Sequence, residues 1–284
     1  MTKNGGDAAC RHPPQTNYFN NGMKKTRLLT IPNDIPERLL PFLCGASLWD
    51  SSCSPEARVL FIEKEGGLYL KSAEAGTLFR EAEMTRFFHS RTMGTEVLDY
   101  FCEGGKDWFL TAAVKGEDLT HEFYTSDPLR LCDTLAERLR LLHECSTEGC
   151  PVPDHTTEYL ARAEKNYRTG NYDSTHFPDN WGYASAEEAW SVLLKNGHLL
   201  ERNTLLHGDY CLPNVMYNGW KFSSFIDVGN GGIGDRHVDL FWGAWTLFFN
   251  LHTDEYRDRF FDAYGRDCVD EEKLRIVAAA EVFG

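Results

Sequence analysis

The sequence predicts an α+β chain in two lobes, with a small N-terminal antiparallel sheet carrying one helix and a larger, mainly helical C-terminal lobe. Three observations predict it. A length of 284 residues with 42% hydrophobic content sits at the upper end of a single domain and suits two lobes on one chain. Two apolar runs flank Lys64-Glu65-Gly66-Gly67, which is the grammar of a β-hairpin. From Asp127 onward the apolar spacing becomes helical.

Residues 1–24 mix Gly, Asn, Pro and charge without periodicity and read as a disordered leader, in which Met23 is an alternative start. Residues 25–113 form the N-terminal lobe. Val59-Leu60-Phe61-Ile62 and Leu68-Tyr69-Leu70 are its hairpin strands, with Lys71 at the end of the second. A helix over 77–89 follows, its apolar face supplied by Leu78, Ala82, Met84, Phe87 and Phe88. Trp108-Phe109-Leu110 closes a strand that reaches a hinge near Val114-Lys115-Gly116.

Residues 114–284 form the second lobe. Leu131, Leu135, Leu139 and Leu142 recur at spacings of four, four and three behind Pro128, which suits a first helical turn. Residues 170–182 read as a polar, aromatic-rich loop and 184–194 as a short helix. Leu205-Leu206 then leads into His207-Gly208-Asp209, and Val215-Met216-Tyr217 pairs with 221–226 across Asn218-Gly219. Helices over 235–250 and 270–283 close the chain, without internal repeats or low-complexity tracts.

Composition excludes several classes of function. The net charge is −14; the first thirty residues carry +4 and leave −18 on the body, a field that repels nucleic acid and acidic membranes and attracts cationic small molecules. No apolar run is long enough to span a bilayer. Nine cysteines without a C-x-x-C pair, and no apolar signal segment, predict reduced thiols in a cytoplasm rather than disulfides or a structural zinc site.

The informative block is His207-Gly208-Asp209-Tyr210-Cys211-Leu212-Pro213-Asn214, followed beyond a tight hairpin by Phe225-Ile226-Asp227. Phosphoryl transfer needs such a set: one carboxylate, Asp209, to orient an acceptor hydroxyl, and Asn214 with a second carboxylate, Asp227, to hold Mg²⁺ against phosphates. Lys71 on a strand and Glu81 on the next helix supply the pair with which eukaryotic-like kinases clamp nucleotide phosphates.

From about Leu40 to Gly284 the chain resembles the aminoglycoside 3'-phosphotransferases, antibiotic-resistance kinases of the eukaryotic-protein-kinase-like fold. The matching stretches are Cys53 to Ala57, Lys71, Arg80-Glu81-Ala82, Gly116 to Leu119, Leu139 to His143, His207 to Asn214, Phe225 to Asp227 and Gly234 to Asp239. The resemblance implies that Asp209 is the catalytic residue, that Asn214 and Asp227 hold magnesium, and that Lys71 is the phosphate lysine held by Glu81. It implies that Asp239 braces the catalytic loop. A nucleotide, ATP or GTP, would lie between the lobes, with its base against the strand from Phe109 to Ala113 and hydrogen-bonded to backbone around Ala113. Ser52, Cys53 and Ser54 would lie in the loop over its phosphates.

For a cationic acceptor the resemblance points to acids from the loop before the catalytic segment, Asp173 and Asp179, and to the chain's last residues, Glu281 and Phe283. Two positions depart from the family. Asn230 stands where an arginine is usual, and Ala280 where a second acid is usual. The expectation is therefore a Mg²⁺-dependent kinase acting on a hydroxyl, at the 3' position, of an aminoglycoside. Two alternatives stand beside it: another hydroxylated amine or amino sugar as acceptor, or a non-catalytic binder of nucleotide or drug. The oligomeric state stays open.

Overall fold

A computed structural model describes residues 25–173, 177 and 181–284. The expected leader and Asp179 lie outside these residues. Strands β1 (Thr26–Leu28), β2 (Ser47–Asp50), β3 (Ala57–Glu63), β4 (Leu68–Glu74), β5 (Val97–Glu103) and β6 (Lys106–Ala112) form one antiparallel sheet in the order β1-β2-β3-β4-β6-β5. Alternation sorts its side chains by face. Leu60, Ile62, Leu70, Trp108 and Leu110 meet Leu39 and Leu43 from the segment holding the short helix α1 (Leu40–Leu43). The opposite face turns Phe109 and Ala73 toward Leu78 and Ala82 at helix α2 (Phe79–Ser90). Lys71 lies within β4, not at its end; the strand runs three residues further because its ladder with β6 continues to Glu74–Lys106.

Helix α2 has no side-chain cap of its own. The N–H groups of Gly76 and Leu78 are instead accepted by Asp107 Oδ2 from β6, both at 2.9 Å. The start of α2 is thus fixed to the sheet by a buried carboxylate.

After the short strand β7 (Glu117–Asp118) and helix α3 (Glu122–Thr125), α4 (Pro128–His143) is the spine of the second part. Asp127 caps it, Pro128 opens it, and the four leucines picked out by spacing are fully buried. Each contributes at most about 1.5–3 kcal/mol relative to exposure. α6 (Ala186–Asn196), α7 (His237–Leu251) and α9 (Glu271–Glu281) lie close to the predicted positions. Besides the four-residue α1 and α3, two longer helices fall where the apolar pattern signals none, α5 (His155–Thr169) and α8 (Arg257–Tyr264). The buried side of α5 is largely polar, with His155, Thr156, Tyr159 and Asn166, so its period is invisible to a hydrophobic count.

The segment that carries the chemistry hangs between small sheets. β8 (Thr204–Leu206) pairs with β11 (Gly232–Gly234), and β9 (Val215–Asn218) pairs with β10 (Lys221–Phe225) and β7. Residues 207–214 link β8 to β9, and residues 226–231 link β10 to β11. Among the described residues no helix is long and apolar enough to cross a membrane.

Candidate active site

The loop from His207 to Asn214 is held by α7, chiefly through its main chain. Asp239, in the first turn of α7, accepts the N–H of His207 at 2.7 Å through Oδ2 and of Gly208 at 2.8 Å through Oδ1. Its Oδ2 also lies 3.1 Å from His143 Nε2, and His143 Nδ1 lies 2.8 Å from the Tyr264 hydroxyl. Burial disfavours charge on Asp239, yet these partners outweigh it and hold the carboxyl below its ordinary range. Two turns along α7, Thr246 Oγ1 accepts the Leu212 N–H at 3.1 Å. His207 Nδ1 accepts the Asp209 N–H at 3.3 Å, so its Nε2 carries the proton donated to the Ile226 carbonyl at 3.0 Å. Gly208 is at φ +84°, and a Cβ there would stand 1.9 Å from the Asn230 carbonyl oxygen. Only glycine fits.

Both oxygens of Asp209 are held. Oδ2 accepts Asn214 Nδ2 at 3.0 Å, and the same amide reaches the Asp209 carbonyl at 2.9 Å. Oδ1 accepts the Cys211 thiol at 3.3 Å. Burial, reinforced by the adjacent Asp209 carboxylate, pushes that thiol well above its ordinary pKa, so it stays a donor. The Ile226 N–H donates to the Asn214 carbonyl at 3.0 Å, which binds this loop to the next residue of interest, Asp227.

Asp227 adopts a left-handed conformation, φ +54° and ψ 43°, and its carboxylate is 53% exposed. Lys71 Nζ donates to Asp227 Oδ1 at 2.7 Å and to Glu81 at 3.0 Å (Oε1) and 2.8 Å (Oε2). One ammonium therefore joins strand β4, helix α2 and the segment after β10. Lys71 lowers the Asp227 carboxyl, while burial pushes Glu81 up to about 7 against the pull of Lys71. Burial works against charge on Lys71 as well, and the two carboxylates outweigh it, raising its pKa. Gly229 permits the approach of α2: a Cβ at that position would lie 3.1 Å from Glu81 Cβ.

Lys71, Glu81, Asp227, Asp209 and Asn214 thus come together in one connected cluster. The loop between β2 and β3 carries Ser52, Cys53 and Ser54. The Ser52 N–H is accepted by Asp50 Oδ1, and Ser52 Oγ accepts the Val59 N–H, each at 2.9 Å. Burial and then the Asp227 carboxylate raise the Cys53 thiol. Ala113 follows β6, and its N–H is donated to the Gly67 carbonyl at 2.9 Å, which continues the β4–β6 ladder by one residue.

The expected acceptor residues are dispersed. Asn230 sits half-buried in the turn after Asp227, its carbonyl against Gly208. Asp173 is exposed. Glu281 is buried, with Oε1 accepting the Tyr159 hydroxyl at 2.8 Å and Trp242 Nε1 at 3.1 Å. Phe283 is a core residue rather than a contact surface: its fully buried ring meets Tyr167, Tyr172 and Trp190, and its carbonyl accepts Asn166 Nδ2 at 2.7 Å.

Sequence reasoning missed Tyr69. It lies two residues before Lys71 and so shares the cleft face of β4, with its ring 5.1 Å from that of Phe61 and the ammonium of Lys25 lying 3.8 Å from the centre of the Phe61 ring. The alternation Tyr69-Leu70-Lys71 was the available signal. The Cys211 thiol on Asp209 was also missed, and no sequence spacing announces it.

The sequence profile of the phosphotransferase enzyme family matches residues 54–277. A probable aminoglycoside 3'-phosphotransferase of Lactococcus lactis is 49% identical over 249 residues, covering 88% of this chain and 95% of that protein. An aminoglycoside 3'-phosphotransferase of Niallia circulans is 28% identical over 207 residues, covering 73% of this chain and 79% of its own. Among solved structures, an aminoglycoside 3'-phosphotransferase of type VIII superposes with a TM-score of 0.66 at 25% identity, covering 80% of this chain and 88% of that one. An aminoglycoside phosphotransferase of Streptomyces rimosus, in complex with ADP and streptomycin, superposes with a TM-score of 0.67 at 21% identity, covering 80% and 90%. The profile spans most of the chain, including the whole cluster around Asp209, and the chain therefore belongs to the phosphotransferase enzyme family.

Proposed function

We propose that this phosphotransferase moves the γ-phosphate of ATP or GTP to the 3'-hydroxyl of an aminoglycoside. The observation that carries the reading is the Asp209 carboxylate, fixed through both oxygens on a loop joined by the Asn214–Ile226 bond to the Lys71–Glu81–Asp227 ion cluster. Asp209 would accept the hydrogen bond of the incoming hydroxyl and align it, and Lys71 would neutralise phosphate oxygens. Phosphoryl transfer asks mainly for such positioning and charge neutralisation. The 49% identity to a protein named as a probable aminoglycoside 3'-phosphotransferase supports this acceptor.

The residues present fit Mg²⁺. Asn214 and Asp227 offer one amide oxygen and one half-exposed carboxylate, and among the described residues no group of three His, Cys, Asp or Glu side chains is arranged to hold a metal. That set suits an ion completed by substrate phosphates and water rather than an all-protein cage. When bound, the ion would offset charge on the phosphate oxygens. We further infer a division in which residues 25–113 bind the base and phosphates, with the Tyr69–Phe61 face as a base platform, while residues 114–284 hold the acceptor. Glu281 and Asp173 are its candidate ammonium contacts, with Asn230 beside the reacting centre. The eight cysteines of the described residues are all free, which agrees with a cytoplasmic location.

A second reading keeps the kinase and changes the acceptor to another hydroxylated amine or amino sugar. The neutral residues Asn230 and Ala280 favour it, since each removes a charge from the acceptor side. A coupled nucleotide-consumption assay with Mg²⁺ and ATP or GTP, run with kanamycin, neomycin and no drug, separates the two. Turnover that depends on the drug and disappears in Asp209→Ala is expected; nucleotide binding without drug-dependent turnover would defeat the aminoglycoside assignment.

A further inference from the structure

Arg80 occupies an unfavourable place in its own helix. It is the second residue of α2, where a cation faces the positive end of the helix dipole, and the carboxylate that serves that end, Asp107, bonds the main chain of Gly76 and Leu78. Its Nε is buried without a partner, a further local cost. A residue so placed needs a tertiary reason, and the terminal nitrogens supply it. Nη2 donates to the Gly231 carbonyl at 2.8 Å, and Nη1 pairs with Glu158 in the first turn of α5.

The carbonyl bond is the important one. Arg80–Glu158 is an exposed ion pair of a kind that stabilises little, whereas the bond to Gly231 is charge-assisted and partly buried. Gly231 lies four residues past Asp227, directly after the turn in which Gly229 abuts Glu81. α2 is therefore fastened to the segment after Asp227 at Arg80, through Gly231, and packed against it at Glu81 itself, through Gly229. We propose that Arg80 is a positioning residue that holds α2 against this segment, so that Glu81 and Lys71 are in register with Asp227 before a nucleotide arrives. The proposal rests on the reading of Lys71, Glu81 and Asp227 as the nucleotide site. It adds a residue outside that cluster which sets its geometry.

The test compares Arg80→Met, which keeps length and removes the donors, with Arg80→Lys and with Glu158→Gln, which removes only the exposed pair. Nucleotide Kd with Mg²⁺ is measured by calorimetry without acceptor, alongside kcat, both KM values and Tm. Arg80→Met is expected to lower kcat/KM for nucleotide about ten- to a hundred-fold, as misplacement of a reacting set does. Its nucleotide Kd should rise several-fold while KM for the acceptor stays within two-fold of wild type; Arg80→Lys should recover part of the loss, and Glu158→Gln should match wild type. Equal losses for both substrates, or wild-type nucleotide Kd and kcat in Arg80→Met, would overturn the role. If Arg80→Met melts below the assay temperature, Arg80→Lys carries the same test, because an ammonium cannot reproduce the two-pronged contact. A wild-type protein that binds no nucleotide would instead defeat the underlying site assignment.

Discussion

Lys71 and Asp227, 156 residues apart in sequence, meet at 2.7 Å across the cleft between the six-stranded sheet and the helical part of the chain. The ammonium that neutralises Asp227 is the one gripped by Glu81, so removing it leaves two carboxylates facing each other. Lys71→Met is expected to raise the nucleotide KM at least about ten-fold and to lower kcat as well, a pattern that marks lost transition-state stabilisation rather than lost ground-state binding alone. Steady-state kinetics with nucleotide as the varied substrate checks it.

Asp209→Ala should lower kcat by about 10²–10⁴, the range for a positioned acid–base group, with nucleotide Kd within about three-fold of wild type. The carboxylate is built into the Asn214 and Cys211 bonds, not into the Lys71 cluster. Calorimetric titration of nucleotide into the variant, set beside its turnover, separates the two effects.

Asp227→Asn and Asn214→Ala should each raise the Mg²⁺ concentration for half-maximal turnover, Asp227→Asn the more because it also removes the charge facing Lys71. Chelation by EDTA should abolish wild-type activity and excess Mg²⁺ should restore it. A Mg²⁺ titration of each variant at saturating nucleotide reads the shift.

His155 gives a pH signature of stability. It is buried, stacked on Tyr159 with ring centres 5.6 Å apart, and its Nδ1 has no partner; burial lowers its pKa to about 4. Below the ordinary value of 6.5 the unfolded chain takes up a proton that the folded chain refuses, so stability falls as pH drops from about 6.5 to about 4. The full shift corresponds to about 3 kcal/mol. His155→Phe should flatten this part of the wild-type dependence, measured as Tm against pH.

Gly208→Ala should be among the most damaging small substitutions in the chain. The added methyl meets the Asn230 carbonyl at 1.9 Å in a backbone conformation of φ +84°. A loss of about 3 kcal/mol or more is expected. For a chain of this size that means a fall of roughly 6–12 °C in Tm by calorimetry.

The parts of the fold legible in sequence are those whose own residues fix their geometry. The β3–β4 hairpin announced itself through Gly66 and Gly67, and α4 through four leucines and the Asp127-Pro128 start. The order Lys71, Glu81, Asp209, Asn214, Asp227 named the centre because few chemistries want those residue types together. α5 stayed hidden because His155, Thr156 and Asn166 are buried by virtue of tertiary partners such as Glu201 and Phe283, which no local pattern encodes. Nothing in the sequence around Phe283 announces the three aromatic rings of the interior that surround it.

Asp239 and Thr246 hold the loop that bears Asp209 by the N–H groups of His207, Gly208 and Leu212, and a tether made to main chain is blind to the side chains it carries. The path of the loop is thereby inherited largely from α7, with Gly208 and His207 the positions at which the loop's own residue type still matters. Positions such as the exposed Pro213 are free to drift over generations while the reacting carboxylate keeps its place, whereas Cys211 is bound to it through its own thiol. Lineages that share this helix can therefore diverge around Asp209 without rebuilding it.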